Sequence, residues 1–508
     1  MVFQHLFELP LPLLLLGLVG LSCAIYIVHF ISNAIANVFF SPLSEFPGPK
    51  LAAATTWWSA YQQAIRGRSM HHICMDLHER YGDIVRIGPN RLHFNHPSMY
   101  DEIYRRRWDK DPFMYALLGG DGATVTFVKY EDNKRRKDIL HTFFAKSSVY
   151  NVQWLIQENI EKFCSHLDKH NERGVSSDMT LGFRCLGLET ITATCFGKSA
   201  SCFEYEGFAS PILEAMESIV AWFMVFKHFG LFRRIILSIP EWVGLALFPK
   251  GIAFAQMRKM FSDQIDEITM NLDKPNQYPH PIVYRALIRP EKQDTPIPSR
   301  ASLLEEAVAL VIAGTDTTGS TLTVGTYQIL RKPEIHAKLK AELLEAWPNL
   351  EQRPSAGDLE KLPYLTAVIK EALRMAPTTT SENSRVVPVQ GATIGGKHIP
   401  GGTIVSMGVL FPMQHEDAFT NAHVYNPDRW LSDDAKALDK YFVPFSKGPR
   451  SCLGINLAWC ELYLSFANLF RRFELTIDGT EDSDFDWVDV GLALFEGHLR
   501  CFCTPVSK

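Results

Sequence analysis

An apolar run over residues 9–31 is the first feature of the hydrophobic pattern, and it contains no Asp, Glu, Lys or Arg. The run is long enough to cross a bilayer as a helix. A cleaved signal peptide is the alternative, but such a peptide has a basic leader, and the first Lys or Arg here is Lys50. Since basic residues occur only after the run, the pattern favours a retained membrane anchor over 1–40, with the rest of the chain in the cytosol.

A proline-rich segment, 46–49, follows the apolar run and reads Phe-Pro-Gly-Pro. Two prolines around a glycine form a stiff turn through which a helix does not continue. No low-complexity linker and no internal repeat occur beyond this hinge. The pattern therefore predicts one large domain over 41–508.

Most of this domain has apolar residues at helical spacing, with short strands between them. The segments 84–87 and 92–94 are separated by Gly-Pro-Asn at 88–90, and this pattern predicts a hairpin. Ser302 and Glu305 have the spacing of a capping box, which predicts a helix that starts there and runs towards Leu330. Further predicted elements are a helix over 363–375, short strands within 394–405, and a helix from just after Cys452 to about Phe473. The predicted fold class is mostly α with small β-sheets.

Composition narrows the possible partners and metal sites. The net charge of -5 is small for 508 residues, and no general basic character predicts a nucleic-acid partner. The ten cysteines form no paired CxxC units, so neither a zinc site nor a disulfide framework is predicted. Most of them are expected to be small buried hydrophobic residues, and Cys452 is the exception.

Residues 445–454 read Phe-Ser-Lys-Gly-Pro-Arg-Ser-Cys-Leu-Gly, and they deliver Cys452 to the start of a predicted helix. At that position the helix dipole and free backbone N–H groups stabilise a thiolate and hydrogen-bond its sulfur. Gly448 and Gly454 permit a flat ligand to approach the backbone. Phe445 can shield the sulfur, and Arg450 can pair with a carboxylate. The alternative is a buried cysteine in a tight turn.

This segment matches the FxxGxRxCxG signature of the cytochrome P450 family without a mismatch, and the chain resembles that family here. The resemblance implies the P450 fold after a single N-terminal transmembrane helix, and haem b ligated by the Cys452 thiolate. It further implies an O2-dependent monooxygenase that oxidises a hydrophobic small molecule, with electrons from NADPH through NADPH-cytochrome P450 reductase. The implied location is the endoplasmic reticulum membrane, with the catalytic domain facing the cytosol.

The resemblance continues in two segments that supply a Glu-Arg-Arg triad. Glu371 and Arg374 form the ExxR motif of the family and share one helix face. Residues 425–430 resemble its PERF-type segment, in which Arg429 completes the triad that locks the fold around the haem. A lone ExxR is more often a pair of solvated surface charges.

Residues 313–318, Ala-Gly-Thr-Asp-Thr-Thr, stand in mid-helix although Gly, Asp and Thr are poor helix formers. In the family these small residues, here beginning with Ala313, open a groove for dioxygen. The acid and the alcohol, here Asp316 and Thr317, relay protons to the bound oxygen. The alternative is a polar patch between helices.

The resemblance also implies cationic partners for the haem propionates. Arg450 and Arg385 match the family positions, whereas Asn133 and Lys137 stand where the family often has Trp or His with a following Arg. A lysine is a point charge without the bidentate fork of arginine. The basic run 134–137, extended by Lys447, is either a reductase docking patch or a solvated face.

Hints about the substrate come from apolar and hydroxyl-bearing segments. The segments 222–226 and 235–248 are strongly apolar, and in the family this region roofs the pocket and touches membrane lipid. Residues 378–382, Thr-Thr-Thr-Ser-Glu, suggest a substrate that already carries oxygen. The C-terminal region resembles fungal secondary-metabolism members, whose substrates include terpenoids and polyketides.

Two other functions compete with a monooxygenase. One is a haem-thiolate isomerase or dehydratase that rearranges a peroxide without a reductase or a proton relay. Retention of Asp316 and Thr317 disfavours it. The other is a membrane haem or lipid sensor, which would show a haem spectrum without consuming NADPH.

Overall fold

The structure, a computed structural model, describes residues 11–115, 122–220, 222–239, 251–274, 278–291 and 296–506 of the chain. The expected roof element at 235–248 extends into 240–250, which lies outside the described residues. Within the described ranges the protein is mostly helical with small sheets, so the predicted fold class is confirmed. The longer helices are α1 (Leu11–Phe39), α2 (Met70–Tyr81), α3 (Tyr130–Leu140), α4 (Gln153–Glu172), α5 (Met179–Phe196), α6 (Pro211–Val220), α7 (Gly230–Ser238), α8 (Ile252–Met270), α9 (Arg300–Leu330), α10 (Pro333–Ala346), α11 (Pro363–Met375) and α12 (Ile455–Arg472).

Shorter helical segments join these helices. They are Lys50–Ala54, Trp57–Ala60, the π-helix Tyr61–Ile65, Met99–Tyr104, Pro112–Tyr115, Lys146–Asn151, Phe223–His228, Val283–Ile288, Ala356–Leu359, Leu410–Met413 and Ala435–Leu438, with 3₁₀ turns at Cys202–Glu204, Glu206–Phe208, Pro427–Trp430, Gly448–Arg450 and Asp482–Phe485. The strands are β1 (Ile84–Gly88), β2 (Arg91–Phe94), β3 (Ser177–Asp178), β4 (Arg385–Val386), β5 (Ala392–Ile394), β6 (Lys397–Ile399), β7 (Ile404–Ser406), β8 (Phe473–Ile477), β9 (Trp487–Asp489), β10 (Ala493–Phe495) and β11 (Arg500–Pro505).

The strands form four small sheets. The largest has the order β1-β2-β7-β4, in which β1 and β2 are the predicted antiparallel hairpin and β2 pairs with β7 in parallel. A second sheet has the order β3-β11-β8, and β9-β10 and β5-β6 form two-stranded ribbons.

The N-terminal helix α1 stands out from the domain, because its apolar side chains from Leu15 onwards are largely exposed. Residues Leu15–Phe39 are long and apolar enough to cross a membrane. The helix continues past the apolar run that ends at residue 31 and ends at Phe39, inside the predicted anchor 1–40, because 32–39 contain no charged residue, glycine or proline that would end it. A second segment, Glu206–His228, passes the same test of length and apolarity, but about half of its apolar stretch is buried in the domain.

The start of α9 differs from the prediction. Ser299, not Ser302, is the N-cap residue, and its hydroxyl accepts a hydrogen bond from the Ser302 backbone N–H at 3.1 Å. Ser302 and Glu305 instead contact the backbone of Gly122, so both side chains hold a neighbouring loop. The capping-box prediction was wrong because the helix begins at Arg300, so Ser302 already lies in its first turn and Ser299 takes the N-cap position.

Helices α5 and α9 pack closely against each other, and this contact explains why α9 contains Gly314, a poor helix former, in its middle. A Cβ added to Gly314 would lie 2.9 Å from the Ile191 side chain. A Cβ on Gly187 of α5 would lie 2.7 Å from the Gly314 carbonyl oxygen. Helix packing therefore requires a small residue at 314, independently of any ligand.

Candidate active site

A cavity of about 380 Å³ lies between the middle of α9 and the loop that leads into α12. Ala313 and Thr317 border it from α9, and Phe445, Cys452 and Gly454 border it from the loop. The motifs are far apart in sequence, yet the structure brings them to opposite sides of one space. This arrangement defines the candidate site.

Cys452 exposes its side chain to the cavity. Its backbone N–H donates to the Phe445 carbonyl at 2.8 Å, which closes the loop, and α12 begins three residues later at Ile455. Burial raises the pKa of the Cys452 thiol, whereas a hydrogen bond from the Gly454 backbone and the charge of Lys137 lower this pKa. The expected contribution of the backbone to lowering this pKa is therefore present, although burial outweighs it.

The two glycines of the loop, Gly448 and Gly454, are small residues for different physical reasons. A Cβ on Gly454 would meet no heavy atom within 4 Å, so that position leaves open space beside the sulfur. Gly448 has a φ of +71°, and a Cβ there would lie 2.3 Å from the Tyr104 carbonyl oxygen. Gly448 is thus required by its turn and by a neighbouring helix. Only Gly454 leaves room for a ligand.

The predicted acid-alcohol pair is split between two faces of α9. Thr317 borders the cavity and donates its hydroxyl to the Ala313 carbonyl at 2.7 Å. Asp316 is not among the described residues that border the cavity, and its carboxylate accepts from Arg184 Nε at 2.8 Å. Arg184 also pairs with Glu217. Burial raises the pKa of Asp316, and Arg184 opposes this rise.

Four cationic side chains meet at one edge of the cavity: Lys110, Lys137, Arg385 and Arg450. Arg450 donates to the carbonyls of Phe127 and Val128, both at 2.7 Å, and burial lowers its pKa to about 10. The Nε atoms of Arg385 and Arg450 are buried without a hydrogen-bond partner. Such unpaired buried donors are unfavourable unless an anion completes them.

Sequence reasoning missed Lys110, which reads as one more charge between Asp109 and Asp111. A backbone bridge to Arg385 brings it to the cavity, and it is buried there with its Nζ donating to the Val125 carbonyl at 2.6 Å. Burial and the three neighbouring cations lower the pKa of Lys110 well below its ordinary value. No local sequence signal could have found this residue, because the bridge joins distant segments.

Asn133 and Lys137 also reach this edge, but their hydrogen bonds go partly elsewhere. The Asn133 amide donates to the Thr124 carbonyl at 2.7 Å, and its Oδ1 is buried without a partner. Lys137 donates to the Ser451 carbonyl at 2.7 Å, so it supports the cysteine loop directly.

The residues around the cavity fit a haem. Cys452 offers one thiolate to a metal, the space beside Gly454 is open, and the cationic edge has spare donors for two carboxylates. The described residues contain no group of three or more His, Cys, Asp or Glu side chains that could hold a metal ion on its own. The donor set therefore fits a metal carried by an organic group.

Glu371, Arg374 and Arg429 meet in one cluster, in which Glu371 and Arg374 are fully buried and the Arg429 side chain is 9% exposed. Arg374 forms a bidentate pair with Glu371, with N–O distances of 2.9 and 2.8 Å, and both side chains are 0% exposed. Arg429 Nε donates to the same carboxylate at 3.1 Å, and so does Trp430 Nε1 at 2.9 Å. Arg374 further donates to the carbonyls of Met413 and Ala422, so the cluster ties α11 to the segment before the cysteine loop.

The basic run 134–137 does not form one face, because consecutive residues of a helix point in different directions. Arg136 is buried and pairs with Glu306 at 2.7 Å, and Lys137 faces the cavity. Lys134 and Arg135 remain exposed, each paired with an aspartate of the same helix. Lys447, expected to extend the patch, pairs with Asp101 at 2.9 Å. The exposed patch thus reduces to two residues.

Only some residues of the two segments that we expected to contact the substrate, 222–226 and 378–382, border the cavity. Phe223 borders the cavity from the apolar segment 222–226. Thr378, Thr379 and Ser381 also border it. Thr380 instead donates to Asp489 at 2.6 Å.

Cys452, the one cysteine among the described residues that faces the cavity, and the cationic edge together fit a haem-thiolate protein. The chain belongs to the cytochrome P450 family, because the family model "Cytochrome P450" matches residues 47–494. It is similar to the cytochrome P450 monooxygenase flvC of Aspergillus flavus, with 33% identity over 94% of this chain and 95% of that protein. It is 31% identical to the cytochrome P450 monooxygenase macH of Penicillium terrestre, over 94% of this chain and 96% of that protein. It is 30% identical to the cytochrome P450 monooxygenase BOT1 of Botryotinia fuckeliana, over 96% of each chain.

A solved structure of the cytochrome P450DA heme domain shares the fold, with a TM-score of 0.71, 18% identity, and coverage of 90% of this chain and 96% of that one. The resemblance to fungal members of the family is therefore confirmed, as is the assignment to the monooxygenases among oxidoreductases. The names of these three relatives are monooxygenase names, with no isomerase, dehydratase or sensor among them.

Proposed function

We propose that this protein is an NADPH-dependent monooxygenase of fungal secondary metabolism, anchored in the endoplasmic reticulum membrane with its catalytic domain in the cytosol. Its substrate would be a hydrophobic small molecule such as a terpenoid or polyketide. The observation that carries the proposal is the position of Cys452, exposed to a cavity whose opposite wall is the Ala313–Thr317 stretch of α9.

The residues around the cavity would hold haem b in defined roles. The haem supplies dioxygen binding and its reductive cleavage, chemistry that the side chains alone cannot perform. Cys452 would be its protein ligand, and Phe445 and Gly454 would shape the space around the sulfur. Arg385, Arg450 and Lys110 would bind the propionates, with Asn133 and Lys137 as further polar neighbours.

The other walls would orient the substrate and exclude water. Phe223 and the apolar face of α9 provide a hydrophobic surface. The hydroxyls of Thr378, Thr379 and Ser381 offer hydrogen bonds, which fits a substrate that already carries an oxygen function. Excluding water strengthens each of these polar contacts.

Oxygenation of a substrate tests the proposal directly. Membranes containing the protein and a fungal NADPH-cytochrome P450 reductase are incubated with a host metabolite extract, NADPH and isotopically labelled O2. We expect masses that rise by one labelled oxygen atom only when NADPH is present. Absence of labelled products across the host metabolites, with intact haem, would contradict the monooxygenase proposal.

Proton delivery would fall to Thr317 at the cavity and to Asp316 behind it. The Thr317 hydroxyl can donate towards the cavity when it leaves the Ala313 carbonyl. Asp316 would have to exchange its contact with Arg184 for one on the cavity side.

Thr317→Ala is expected to keep haem but to divert NADPH electrons from product into hydrogen peroxide. A positioned proton donor contributes about 10²–10⁴-fold to such steps, so productive turnover should fall by a factor in that range. Product and peroxide formed per NADPH are measured together. Thr323→Ala in the same helix, where the hydroxyl is bonded to Gly319 away from the cavity, serves as the control. Unchanged product per NADPH in Thr317→Ala would exclude the relay role.

Reductase docking on the cysteine side of the haem would use the exposed pair Lys134 and Arg135. Reversing both to Glu should slow the first electron transfer about tenfold at low salt, since steering by charge raises association rates by about that factor or more. Screening limits such steering to about 8 Å at physiological ionic strength, so the defect should shrink as salt rises. Stopped-flow reduction across a salt series measures it.

Arg136 is left unchanged in this variant, because its reversal would bury a second carboxylate beside Glu306. Lys259→Glu, which removes the exposed i,i+4 partner of Asp263 on α8, is the control. A defect that does not depend on salt would mean that the residues act through folding, and docking at this patch would be excluded.

A further inference from the structure

Lys137 of α3 differs from the other cations at the cavity edge in what its side chain contacts. Its Nζ donates to the Ser451 carbonyl at 2.7 Å and to the Pro449 carbonyl at 3.3 Å. These two carbonyls lie on either side of Arg450, and the Ser451 carbonyl belongs to the peptide bond that leads into Cys452. Two of the three N–H groups of the ammonium therefore hold the cysteine loop, and only one is left for another partner.

The charge of Lys137 also acts on the sulfur atom. Burial has the largest influence on the Cys452 thiol and raises its pKa, whereas a hydrogen bond from the Gly454 backbone and the charge of Lys137 lower it. In the reverse direction, burial lowers the pKa of Lys137, and the charge of Cys452 opposes this change. The two side chains therefore favour each other's charged forms.

The arginines at the same edge have a different arrangement. Arg385 and Arg450 each keep a buried Nε atom without a hydrogen-bond partner, so both have a donor to spare for an anion that enters the cavity. Sequence reasoning placed Lys137 beside them as a propionate partner. The contacts of its ammonium instead favour a role at the cysteine loop.

We propose that Lys137 is a positioning residue for Cys452, which braces the cysteine loop and places a positive charge beside the sulfur, and that this charge raises the reduction potential of the haem. The inference rests on the proposed role of Cys452 as the haem ligand. Reduction adds an electron to the metal and its ligand, and a nearby positive charge stabilises the added negative charge. The same charge makes the sulfur a weaker donor to the oxidised metal, so both effects raise the potential.

Lys137→Met tests the effect of the charge, because methionine is an unbranched side chain without a charge or a donor. A unit charge in partly buried surroundings changes a neighbouring equilibrium by about tenfold or more. At a given applied potential we therefore expect the ratio of reduced to oxidised haem to fall about tenfold, which is a midpoint about 59 mV lower for a one-electron couple. Lys137→Arg, which keeps the charge and the donors, should restore most of this shift. Absorption spectra of the purified full-length protein at a series of applied potentials, without reductase, NADPH or substrate, measure it.

Hydrogen exchange of the loop 446–454 tests the brace separately. The Cys452 N–H donates to the Phe445 carbonyl at 2.8 Å, and the Ser451 N–H donates to the Gly448 carbonyl at 3.0 Å. Without Lys137 the loop loses two hydrogen bonds to a charged donor, so these amides should exchange about tenfold faster or more in Lys137→Met. A residue that acted on the propionates alone would change the potential and leave this exchange as it is.

Lys134→Met is the matched control, because it makes the same change on the same helix at an exposed lysine that pairs with Asp138. Both measurements should then equal those of the unmodified protein. If Lys137→Met does not retain haem, Lys137→Gln, which is neutral but keeps a donor, decides the question by its midpoint potential.

Three results would overturn the proposal: a neutral variant with an unchanged potential, a lowered potential that Lys137→Arg does not restore, or unchanged exchange of the loop in Lys137→Met. A different result would refute the proposed haem ligand instead. In that case the reduced carbon monoxide complex of the unmodified protein would lack the thiolate-type absorption.

Discussion

Cys452→Ala is expected to abolish the thiolate-type absorption of the reduced carbon monoxide complex and, with it, all product formation. Alanine offers no lone pair to a metal, and Cys452 is the only cysteine among the described residues that borders the cavity. Of the other nine cysteines, eight are buried elsewhere and Cys23 lies in α1. No other thiolate can therefore take over without rearrangement of the fold. Absorption spectra of the reduced protein with carbon monoxide measure the change.

Cys460→Ala provides the matched control for this prediction. Cys460 lies on α12, about two helical turns after Cys452. It is buried and does not border the cavity. Its substitution should preserve the thiolate band, at the small cost in stability that follows from removing a buried sulfur. A thiolate band in Cys452→Ala would show that another cysteine is the ligand, and the assignment of the cavity would be wrong.

Features encoded within one continuous segment could be predicted from the sequence. The cysteine loop, the hairpin of β1 and β2 and the span of α11 depend on neighbouring residues, so pattern and motif are sufficient. Lys110 reaches the cavity through a bridge to Arg385, which lies 275 residues further along the chain, and local sequence patterns give no sign of this contact. The direction of Asp316 likewise depends on Arg184 of a different helix.

The basic run 134–137 also shows that a sequence pattern does not reveal where side chains point after folding. The basic run 134–137 appears as one patch in the sequence, but α3 distributes it over several directions. One of its residues is buried against Glu306 and another faces the cavity, which only the packing of α3 against α9 determines.

Glu371→Ala and Arg374→Ala are each expected to prevent recovery of a stable haem-containing protein. Removing one partner leaves the other as an uncompensated buried charge, which costs about 3–5 kcal/mol in comparable buried pairs. Loss of Arg374 also leaves the carbonyls of Met413 and Ala422 without their donor. Because a domain has only about 5–15 kcal/mol of net stability, either change removes a large part of it. Urea unfolding and the ratio of bound haem to protein measure the effect.

Lys361→Ala is the control with the same spacing, since Asp358 and Lys361 form an i,i+3 pair that is exposed to solvent. An exposed pair contributes at most about 1 kcal/mol, so this variant should fold and retain haem normally. Arg429→Ala should have an intermediate effect, because Arg429 reaches only one oxygen of Glu371 and Arg374 remains to neutralise it. The order of the unfolding free energies of these variants distinguishes a buried cluster that holds the fold together from an ion pair on the surface. If Glu371→Ala or Arg374→Ala yields a stable protein with full haem content, the cluster does not hold the fold around the site.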